Sequence, residues 1–346
     1  MNQDLLFKIA KCSRIHNVFR PFYAGLGSIL MFHRIAKEGR SMRIGKNRRN
    51  EISPEFLELL ITHLLSRDYE IVSLDGVAEI LLDGKRQKKF IAFTFDDGYE
   101  DTYSLAYPLF RKYNLPFAVY VSLNYPEKKA VLWWYLLEDL VLRNGRISFH
   151  HDNKRYAFPA VTAEQKEAAF HSVRTMIMRK GNDTAELLLR DIFEPNGMDI
   201  SAYSRTMTLD WNQISLMSED PLVTIGAHTV NHYALNKLDD EKAEYEIRRS
   251  REIIGQHIGK EVRHFSYPFG SKGEAGKREF GMVKSAGFRT ATTTRIGNIF
   301  PEHRNHLECL PRIPVSGNRE DMVSLEALLS GFISAINHSF SRVITQ

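Results

Sequence analysis

Short apolar runs alternate with amphipathic stretches along this chain, and several of the runs end on a polar or charged residue. The run at residues 90–95 has the length and the aromatic and β-branched content of a strand buried on both faces. Comparable runs predict strands at residues 25–32, 70–73, 117–121, 222–226, 265–267, 288–292 and 310–315. Patterns of helical period predict helices at 53–64, 74–82, 101–113, 133–142, 163–179, 184–193, 209–218, 239–258, 277–286 and 325–336. The alternation of strand, helix and strand predicts an α/β protein with parallel strands.

Two carboxylates, Asp96 and Asp97, follow the run at residues 90–95 directly, and Gly98 comes next. Parallel α/β proteins place their chemistry at this end of the strands. Adjacent carboxylates repel each other, so the pair is costly unless a cation lies between them or one is protonated. A polar turn is the plain alternative, because Asp-Asp-Gly is ordinary turn chemistry.

A pair of histidines, His228 and His232, follows the predicted strand at residues 222–226. Their spacing of four points both imidazoles the same way if they lie on one helical turn or on a loop entering a helix. Together with Asp97 they make a set of two histidines and one carboxylate. Such a set leaves coordination positions open for water and substrate, which is typical of a catalytic metal site. Asp96 is then free to act as a base.

Three motifs each end a predicted strand, and in chain order they are Thr94-Phe-Asp-Asp-Gly98, His228-Thr-Val-Asn-His232 and Phe265-Ser-Tyr-Pro-Phe-Gly270. In this order they resemble the successive motifs of the polysaccharide deacetylase family. That family shares its domain with the nodulation-factor chitooligosaccharide deacetylase. The resemblance covers residues 29–315 with one long insertion. It implies a distorted parallel (β/α) barrel of about seven strands with a mostly helical insertion. It also implies metal-dependent hydrolysis of the N-acetyl group of an N-acetylhexosamine in a glycan or glycan precursor, with release of acetate.

The resemblance further implies roles for single residues. Asp96 would be the general base, and the backbone amide of Phe269, in the tight Pro-Phe-Gly turn, would bind the oxyanion. His33 ends a predicted strand, as does the catalytic acid of the biofilm poly-N-acetylglucosamine deacetylases, although Phe32 stands where that branch has tyrosine. We therefore expect His33 to be the general acid.

The chain departs from the family pattern near its end. Many members carry a Leu-X-His motif, whereas this chain has Leu310-Pro311-Arg312. Ser266 stands where the family has an arginine, and we expect Arg312 to replace that arginine beside Asp96, with a purely structural arginine as the alternative. Substrate contacts are expected from Tyr267, Phe269 and Leu310.

The metal and the substrate leave alternatives open. Zinc is the first expectation for the metal, with cobalt, nickel and iron as alternatives. A metal site of this type would also hydrolyse an O-acetyl ester or another amide, and a degenerate member would bind glycan without turnover. Trp133 and Trp134 form either a sugar-stacking surface or part of a packed helix.

Composition and charge limit the partners. The net charge is +5 and the pI near 9.0, but lysine and arginine are scattered, which favours anionic glycans or a membrane face over nucleic acid.

The two cysteines, Cys12 and Cys309, lack CxxC spacing and indicate no disulfide framework. Residues 1–10 lack a secretory h-region, and no run reaches the roughly 20 apolar residues of a membrane span. We expect a cytoplasmic protein, with attachment to the inner membrane face and a lipid-linked glycan as alternatives.

Within the chain, we expect one barrel domain over residues 1–346 with an insertion at 125–209 that lacks a core of its own. Residues 1–23 read as a basic amphipathic segment, which packs on the domain or, as the alternative, lies on a membrane. The basic stretch at residues 37–50 is expected to be an exposed loop, with contact to an anionic substrate as the alternative.

Overall fold

The strands fall largely where the apolar runs predict them. A computed structural model of the chain describes residues 3–37, 42–84, 88–180 and 182–345. In chain order its strands are β1 (Gly27–Phe32), β2 (Arg34–Ile35), β3 (Glu51–Ile52), β4 (Glu70–Ile71), β5 (Phe90–Phe95), β6 (Phe117–Val121), β7 (Arg146–His151), β8 (Lys154–Pro159), β9 (Val223–Ala227), β10 (His264–Ser266), β11 (Thr290–Ile296) and β12 (Leu310–Pro314).

The helices also follow the predicted pattern, with side-chain caps at several of their starts. Ser53, for example, accepts a hydrogen bond from the N–H of Phe56 at 3.1 Å, and Pro54 occupies the first helical position. The α-helices are α1 (Gln3–Ser13), α2 (His16–Tyr23), α3 (Gly45–Arg48), α4 (Pro54–Ser66), α5 (Leu74–Asp83), α6 (Tyr107–Tyr113), α7 (Trp133–Arg143), α8 (Ala163–Arg179), α9 (Asn182–Phe193), α10 (Ala202–Met207), α11 (Trp211–Glu219), α12 (Asp240–Ile258), α13 (Lys277–Ser285), α14 (Met322–Leu329) and α15 (Phe332–Asn337).

Seven parallel strands of the described chain close a barrel, in the order β1, β12, β11, β10, β9, β6, β5 and back to β1. The closure is a continuous ladder from Gly27 opposite Phe90 to Phe32 opposite Phe95. β4 pairs with the amino half of β5 outside the ring. The barrel is irregular, because β9 and β10 share one residue pair and the register shifts between β11 and β12. The predicted distorted barrel of about seven strands is confirmed.

The two faces of β5 show how the barrel positions chemistry. Phe90 and Ala92 belong to the apolar cluster that fills the amino half of the barrel, where residues of α5 also pack. Ile91, Phe93 and Phe95 belong to the larger cluster formed with the surrounding helices. Because side chains alternate along a strand, Asp96 is the next inward position after Thr94. A carboxylate is thus placed at the carboxyl mouth of the barrel.

The predicted insertion builds an apolar cluster, which corrects the expectation that it has no core of its own. Buried side chains of α7, α8 and α9 and of the hairpin β7–β8 pack together, and Ile44 joins them from outside the insertion. Each helix supplies only a short apolar stripe, so no single stripe reads as a core in the sequence. The hairpin turns at Asp152 and Asn153, as expected, and both residues have positive φ.

Residues 3–23 pack on the domain, in agreement with the first of the two alternatives. They form two helices, α1 and α2, with Arg14 at positive φ between them. α1 buries Leu6, Phe7 and Ala10 in the main cluster, and the ring of Phe19 on α2 packs edge-on against Phe332, whose centroid is 5.0 Å away. Within the described residues, no helix is both long and apolar enough to cross a membrane.

The basic stretch at residues 37–50 was expected to be an exposed loop. Lys37 is exposed, but residues 42–50 are instead anchored. Residues 38–41 lie outside the described residues. Ile44 and Asn47 are buried, Ile44 directly before α3 and Asn47 within it. The reason is the buried carboxylate of Glu138 on α7, which accepts hydrogen bonds from Arg43 and from the N–H of Ile44.

The single closing helix predicted at residues 325–336 is wrong, because the structure has two helices, α14 and α15. Gly331 separates them with a φ of +78°, which disfavours any side chain. A Cβ at Gly331 would also lie 2.2 Å from the carbonyl oxygen of Tyr23. The close approach of α2 therefore selects glycine and breaks the helix.

Stability is expected to fall with pH below about 6.5 through His303, a fully buried residue before β12. Burial lowers the pKa of His303 to about 4. The unfolded chain thus binds a proton at a higher pH than the folded chain, so the free energy of unfolding decreases between pH 6.5 and 4, by up to about 3 kcal/mol. Urea titrations at pH 7.5, 5.5 and 4.5 measure the slope.

His303→Asn is the matched control, because asparagine keeps an acceptor for the N–H of Phe300 but does not titrate in this range. The variant should lose part of the pH dependence. Identical slopes in both proteins would contradict a buried, neutral His303.

Candidate active site

One cleft at the carboxyl end of the barrel collects most of the residues that the motifs single out. It is lined by His33, Asp96, Asp97, His228, His232 and Phe269, together with residues of the insertion and of the chain after β12. Asp96 and Asp97 follow β5, His228 follows β9 and His33 follows β1. Parallel strands therefore bring distant sequence positions to one edge, as in other α/β barrels.

Asp97, His228 and His232 form a compact group of ligand atoms. Oδ1 of Asp97 lies 3.3 Å from Nε2 of His228 and 3.1 Å from Nε2 of His232. Atoms bound to one metal ion at about 2.0–2.2 Å lie roughly 3–3.5 Å from one another, so the three atoms fit a single divalent ion. The histidines hold the pKa of Asp97 well below its usual range, against the opposing effect of burial.

Hydrogen bonds orient this group. The Nδ1 of His228 lies 2.7 Å from the carbonyl oxygen of Ser266, which makes Nδ1 the protonated nitrogen and leaves Nε2 for a metal. The loop between the histidines is held by Glu246, a buried carboxylate on α12. Its Oε2 accepts the N–H groups of Val230 at 2.9 Å and of Asn231 at 2.8 Å.

The backbone is strained at four positions of the site. Asp97, Thr229, His232 and Phe269 have φ values of 78°, 67°, 59° and 62°. Residues with a Cβ rarely adopt this region, and each costs on the order of 1 kcal/mol or more. Four such residues around one cleft indicate that the surrounding packing fixes their conformation.

Asp96 is paired with Arg312 inside the barrel. The guanidinium donates from Nη1 to Oδ1 and from Nη2 to Oδ2 of Asp96, both at 2.7 Å. Nη2 also donates to the hydroxyl of Ser266, at 3.0 Å. Both partners are almost fully buried. Burial alone would raise the pKa of Asp96, but the charge and hydrogen bonds of Arg312 outweigh it and hold this pKa below its usual range.

His33 lies at the end of β1, beside the end of β5. The N–H of Asp96 donates to the carbonyl oxygen of Phe32 at 2.9 Å, which places the two strand ends side by side. His33 is half-buried and lines the cleft. Burial lowers the pKa of His33, while Asp97 and Asp96 act in the opposite direction. A titratable imidazole thus lines the same cleft as the candidate metal ligands His228 and His232.

The turn after β10 presents a free backbone donor. Phe269 has positive φ, and its carbonyl oxygen accepts from the hydroxyl of Thr294 at 2.5 Å. Within the described part of the chain, no group accepts the N–H of Phe269. Its ring packs edge-on to His232, with the centroids 5.1 Å apart. The amide is therefore available to a ligand beside the candidate metal ligands.

Two expected substrate contacts are corrected by the structure. Leu310 is fully buried at the amino end of β12, in the cluster with Ile29 and Phe90 at the opposite end of the barrel from the cleft. Tyr267 is buried as well, and its hydroxyl donates to the carbonyl oxygen of Glu308 at 2.8 Å. Neither side chain lines the cleft. Phe269 is the expected contact that does.

The cleft also contains residues that the motifs do not predict, among them Met31, Tyr99, Thr294 and Val315. Their positions beside strand ends were a usable signal, since Tyr99 follows Asp-Asp-Gly and Met31 lies two residues before His33. Trp133 and Trp134, at the start of α7, are half-buried and both line the cleft. Their rings are therefore accessible to a ligand while the rest of α7 packs inward.

A second group of possible metal ligands in the described chain is His306, Glu308 and Cys309. These residues precede β12 and so lie at the amino end of the barrel, away from the cleft. Burial raises the pKa of the Cys309 thiol to about 12, which disfavours the thiolate that binds metals.

Comparison with known proteins gives one family. A family model described as polysaccharide deacetylase matches residues 83–291, which is more than half of the 346 residues. YxkH of Bacillus subtilis, whose name refers to the same family, is 33% identical over 94 residues, a match that covers 27% of this chain and 30% of YxkH. The chain thus spans less than a third of this curated relative.

Solved structures with the same fold include two proteins named as deacetylases, together with IcaB. PplD of Streptococcus pyogenes, in complex with acetate, has a TM-score of 0.57 at 16% identity, over 87% of this chain and 97% of PplD. IcaB of Ammonifex degensii has a TM-score of 0.52 at 16% identity, over 87% and 96%. The de-N-acetylase of Aggregatibacter actinomycetemcomitans has a TM-score of 0.53 at 17% identity, over 87% and 98%. At these identities the comparison establishes a shared fold.

Proposed function

This chain belongs to the polysaccharide deacetylase family, as its three motifs predict, and we propose that it removes the N-acetyl group of an N-acetylhexosamine by hydrolysis, releasing acetate. The observation that carries the proposal is the cleft itself. Three residues that could hold a metal lie in it beside a buried carboxylate whose ionised form is favoured by an arginine. A binding module needs no base beside its metal.

Asp97, His228 and His232 would hold a divalent metal, and zinc suits two imidazoles and one carboxylate, with cobalt, nickel and iron as alternatives. Such an ion lowers the pKa of a water and polarises a carbonyl oxygen. The protein fixes the ligands through the Ser266 carbonyl and Glu246, so that the ligand atoms are arranged before the metal arrives.

Asp96 is proposed as the general base that takes a proton from the attacking water. It is adjacent in the chain to Asp97, a proposed metal ligand, and it lines the cleft at the carboxyl end of the barrel. A base must be ionised to act, and the two hydrogen bonds from Arg312 favour the ionised form of Asp96.

Two further groups complete the proposed chemistry. The N–H of Phe269 would bind the oxygen that gains negative charge when water adds to the acetyl carbonyl. His33 would give a proton to the departing amine. An amine leaves poorly without a proton, so a histidine in this position favours an amide over an O-acetyl ester as the substrate.

The test is acetate release from N-acetylglucosamine oligomers by the purified protein. We expect release to stop after chelation and to return when zinc is added in stoichiometric amount. Parallel assays with an O-acetylated sugar separate the two leaving groups. Full metal occupancy without acetate from any N-acetylated sugar would contradict the proposal.

Replacing His33 with alanine is expected to lower kcat by roughly 10²- to 10⁴-fold, the usual contribution of a general acid. Metal content, measured by elemental analysis, should stay unchanged because His33 is not among the three ligands. His63→Ala, at a partly buried histidine on α4 outside the cleft, is the control. Unchanged turnover in His33→Ala would remove His33 from the mechanism.

A further inference from the structure

The cleft carries more positive charge than the proposed chemistry uses. Three basic side chains line it on the side of α3 and α8, namely Lys46, Arg49 and Arg174. Among the described residues, the only carboxylates in its lining are Asp96 and Asp97. Asp96 is paired with Arg312, and Asp97 faces two histidines. Among the described carboxylates of the lining, none is therefore left to pair with the three cations.

The surroundings of these three side chains disfavour their charged forms. Burial lowers the pKa of Lys46, and the nearby Arg174 and Arg49 lower it further. Burial also lowers the pKa of Arg49, as does Arg319, and burial lowers that of Arg174. No described carboxylate acts in the other direction on any of the three. Lys46 and Arg49 are exposed and Arg174 is half-buried, and like charges gathered along one cleft favour a bound anion.

The backbone that carries the cations is fixed in place. The buried carboxylate of Glu138 on α7 accepts from the amide of Asn47 at 3.1 Å, and the same amide donates to the carbonyl oxygen of Trp134 at 2.8 Å. The N–H of Gly45 donates to Glu167 on α8 at 2.7 Å. α3 is thus tied to both helices, one of which bears the third cation.

We propose that Lys46, Arg49 and Arg174 form a subsite for a phosphate group carried by the amino-sugar substrate. This inference rests on the proposed deacetylase function. Arginine forks and a lysine ammonium are the usual phosphate ligands, and a phosphate carries more charge than a single carboxylate. Nucleotide-linked and lipid-linked N-acetylated sugars share such a phosphate next to the sugar, and they define the substrate class.

Binding tests the subsite without turnover. Titration calorimetry compares N-acetylglucosamine 1-phosphate with N-acetylglucosamine on the wild-type protein. We expect the phosphate to tighten binding by about tenfold to hundredfold, and the difference to shrink as salt is raised from 50 to 500 mM. Inorganic phosphate should compete. Equal affinity for the two sugars would overturn the proposal.

Variants locate the effect. Arg174→Gln and Arg49→Gln should each lower kcat/KM for the phosphorylated sugar about tenfold or more and change it less than twofold for neutral oligomers. Arg179→Gln on α8 and Arg48→Gln on α3 are the matched controls, since both arginines are exposed and outside the cleft lining. Equal losses in the controls, or equal losses on both substrates, would overturn the proposal.

The two sources of the phosphate are then distinguished by assaying two substrates, a UDP-linked N-acetylglucosamine and a short prenyl-diphosphate-linked N-acetylglucosamine. The substrate with the higher kcat/KM identifies the source. If neither these nor the neutral oligomers release acetate while the phosphate still tightens binding, the proposed function fails and the subsite stands. If neutral oligomers are deacetylated and the phosphate gives no advantage, the function stands and the subsite fails.

Discussion

Replacing Asp96 with asparagine is expected to lower kcat for acetate release by about 10³-fold, within the usual range for the loss of a general base. Asparagine keeps the size of the side chain and an acceptor for Arg312, but it cannot take the proton from water. The three proposed ligands are untouched, so zinc content and affinity should stay close to those of the wild-type protein.

Asp83→Asn is the control for this change, because Asp83 is exposed at the end of α5, at the other end of the barrel. It should leave kcat unchanged. Steady-state assays at saturating zinc, together with elemental analysis of each variant, separate loss of the base from loss of the metal. An Asp96→Asn enzyme that keeps a tenth or more of the wild-type kcat would assign the base to another residue.

Replacing Arg312 with leucine is expected to lower the free energy of unfolding by about 3–5 kcal/mol, because it leaves the carboxylate of Asp96 buried without its partner. Arg312 is fully buried and also donates to the carbonyl oxygen of Thr293 at 2.9 Å and to the hydroxyl of Ser266. Urea unfolding of the two proteins at pH 7 measures the difference. Activity should fall too, since the pKa of Asp96 loses the influence that keeps it low.

The double variant Asp96→Asn with Arg312→Leu is the control, since it removes both buried charges. Its stability should lie above that of Arg312→Leu alone, and the double-mutant cycle gives the coupling between the two side chains. Arg312→Lys keeps the charge but loses the two-pronged geometry, so it should be intermediate. A coupling near zero would mean that the pair contributes nothing to the fold.

The barrel could be predicted because its strands are short, apolar and separated by helical patterns, and because each motif follows a strand. The close grouping of Asp97, His228 and His232 follows from that topology alone. The position of Arg312 beside Asp96 was inferred from a departure in the motif. Ser266 occupies the place of the family's usual arginine, so another arginine was expected to pair with Asp96. The catalytic and metal-binding roles stay predictions until the measurements above are made.

What escaped prediction depends on contacts between distant segments. Leu310 starts the strand predicted at residues 310–315, so its place at the amino end of the barrel follows from the parallel topology, and the resemblance alone made it a contact. Tyr267 follows β10 at the carboxyl end, but its hydroxyl donates to the carbonyl oxygen of Glu308, a contact that the sequence does not reveal. The buried Glu138 shows the same limit, because its partners at residues 43–47 come about 90 positions earlier. The break at Gly331 depends on the approach of Tyr23.

The attachment of α3 to α7 and α8 sets the rule for building chimeras. Residues 125–209 and 42–50 are far apart in sequence, yet Glu138 and Glu167 bind the backbone of the shorter segment directly. Exchanging the insertion alone with that of a related protein would remove the hydrogen-bond partners of residues 42–50. Exchanging both segments together would instead move one wall of the cleft as a unit. The two segments are therefore a single exchangeable module, and substrate range should transfer with the pair.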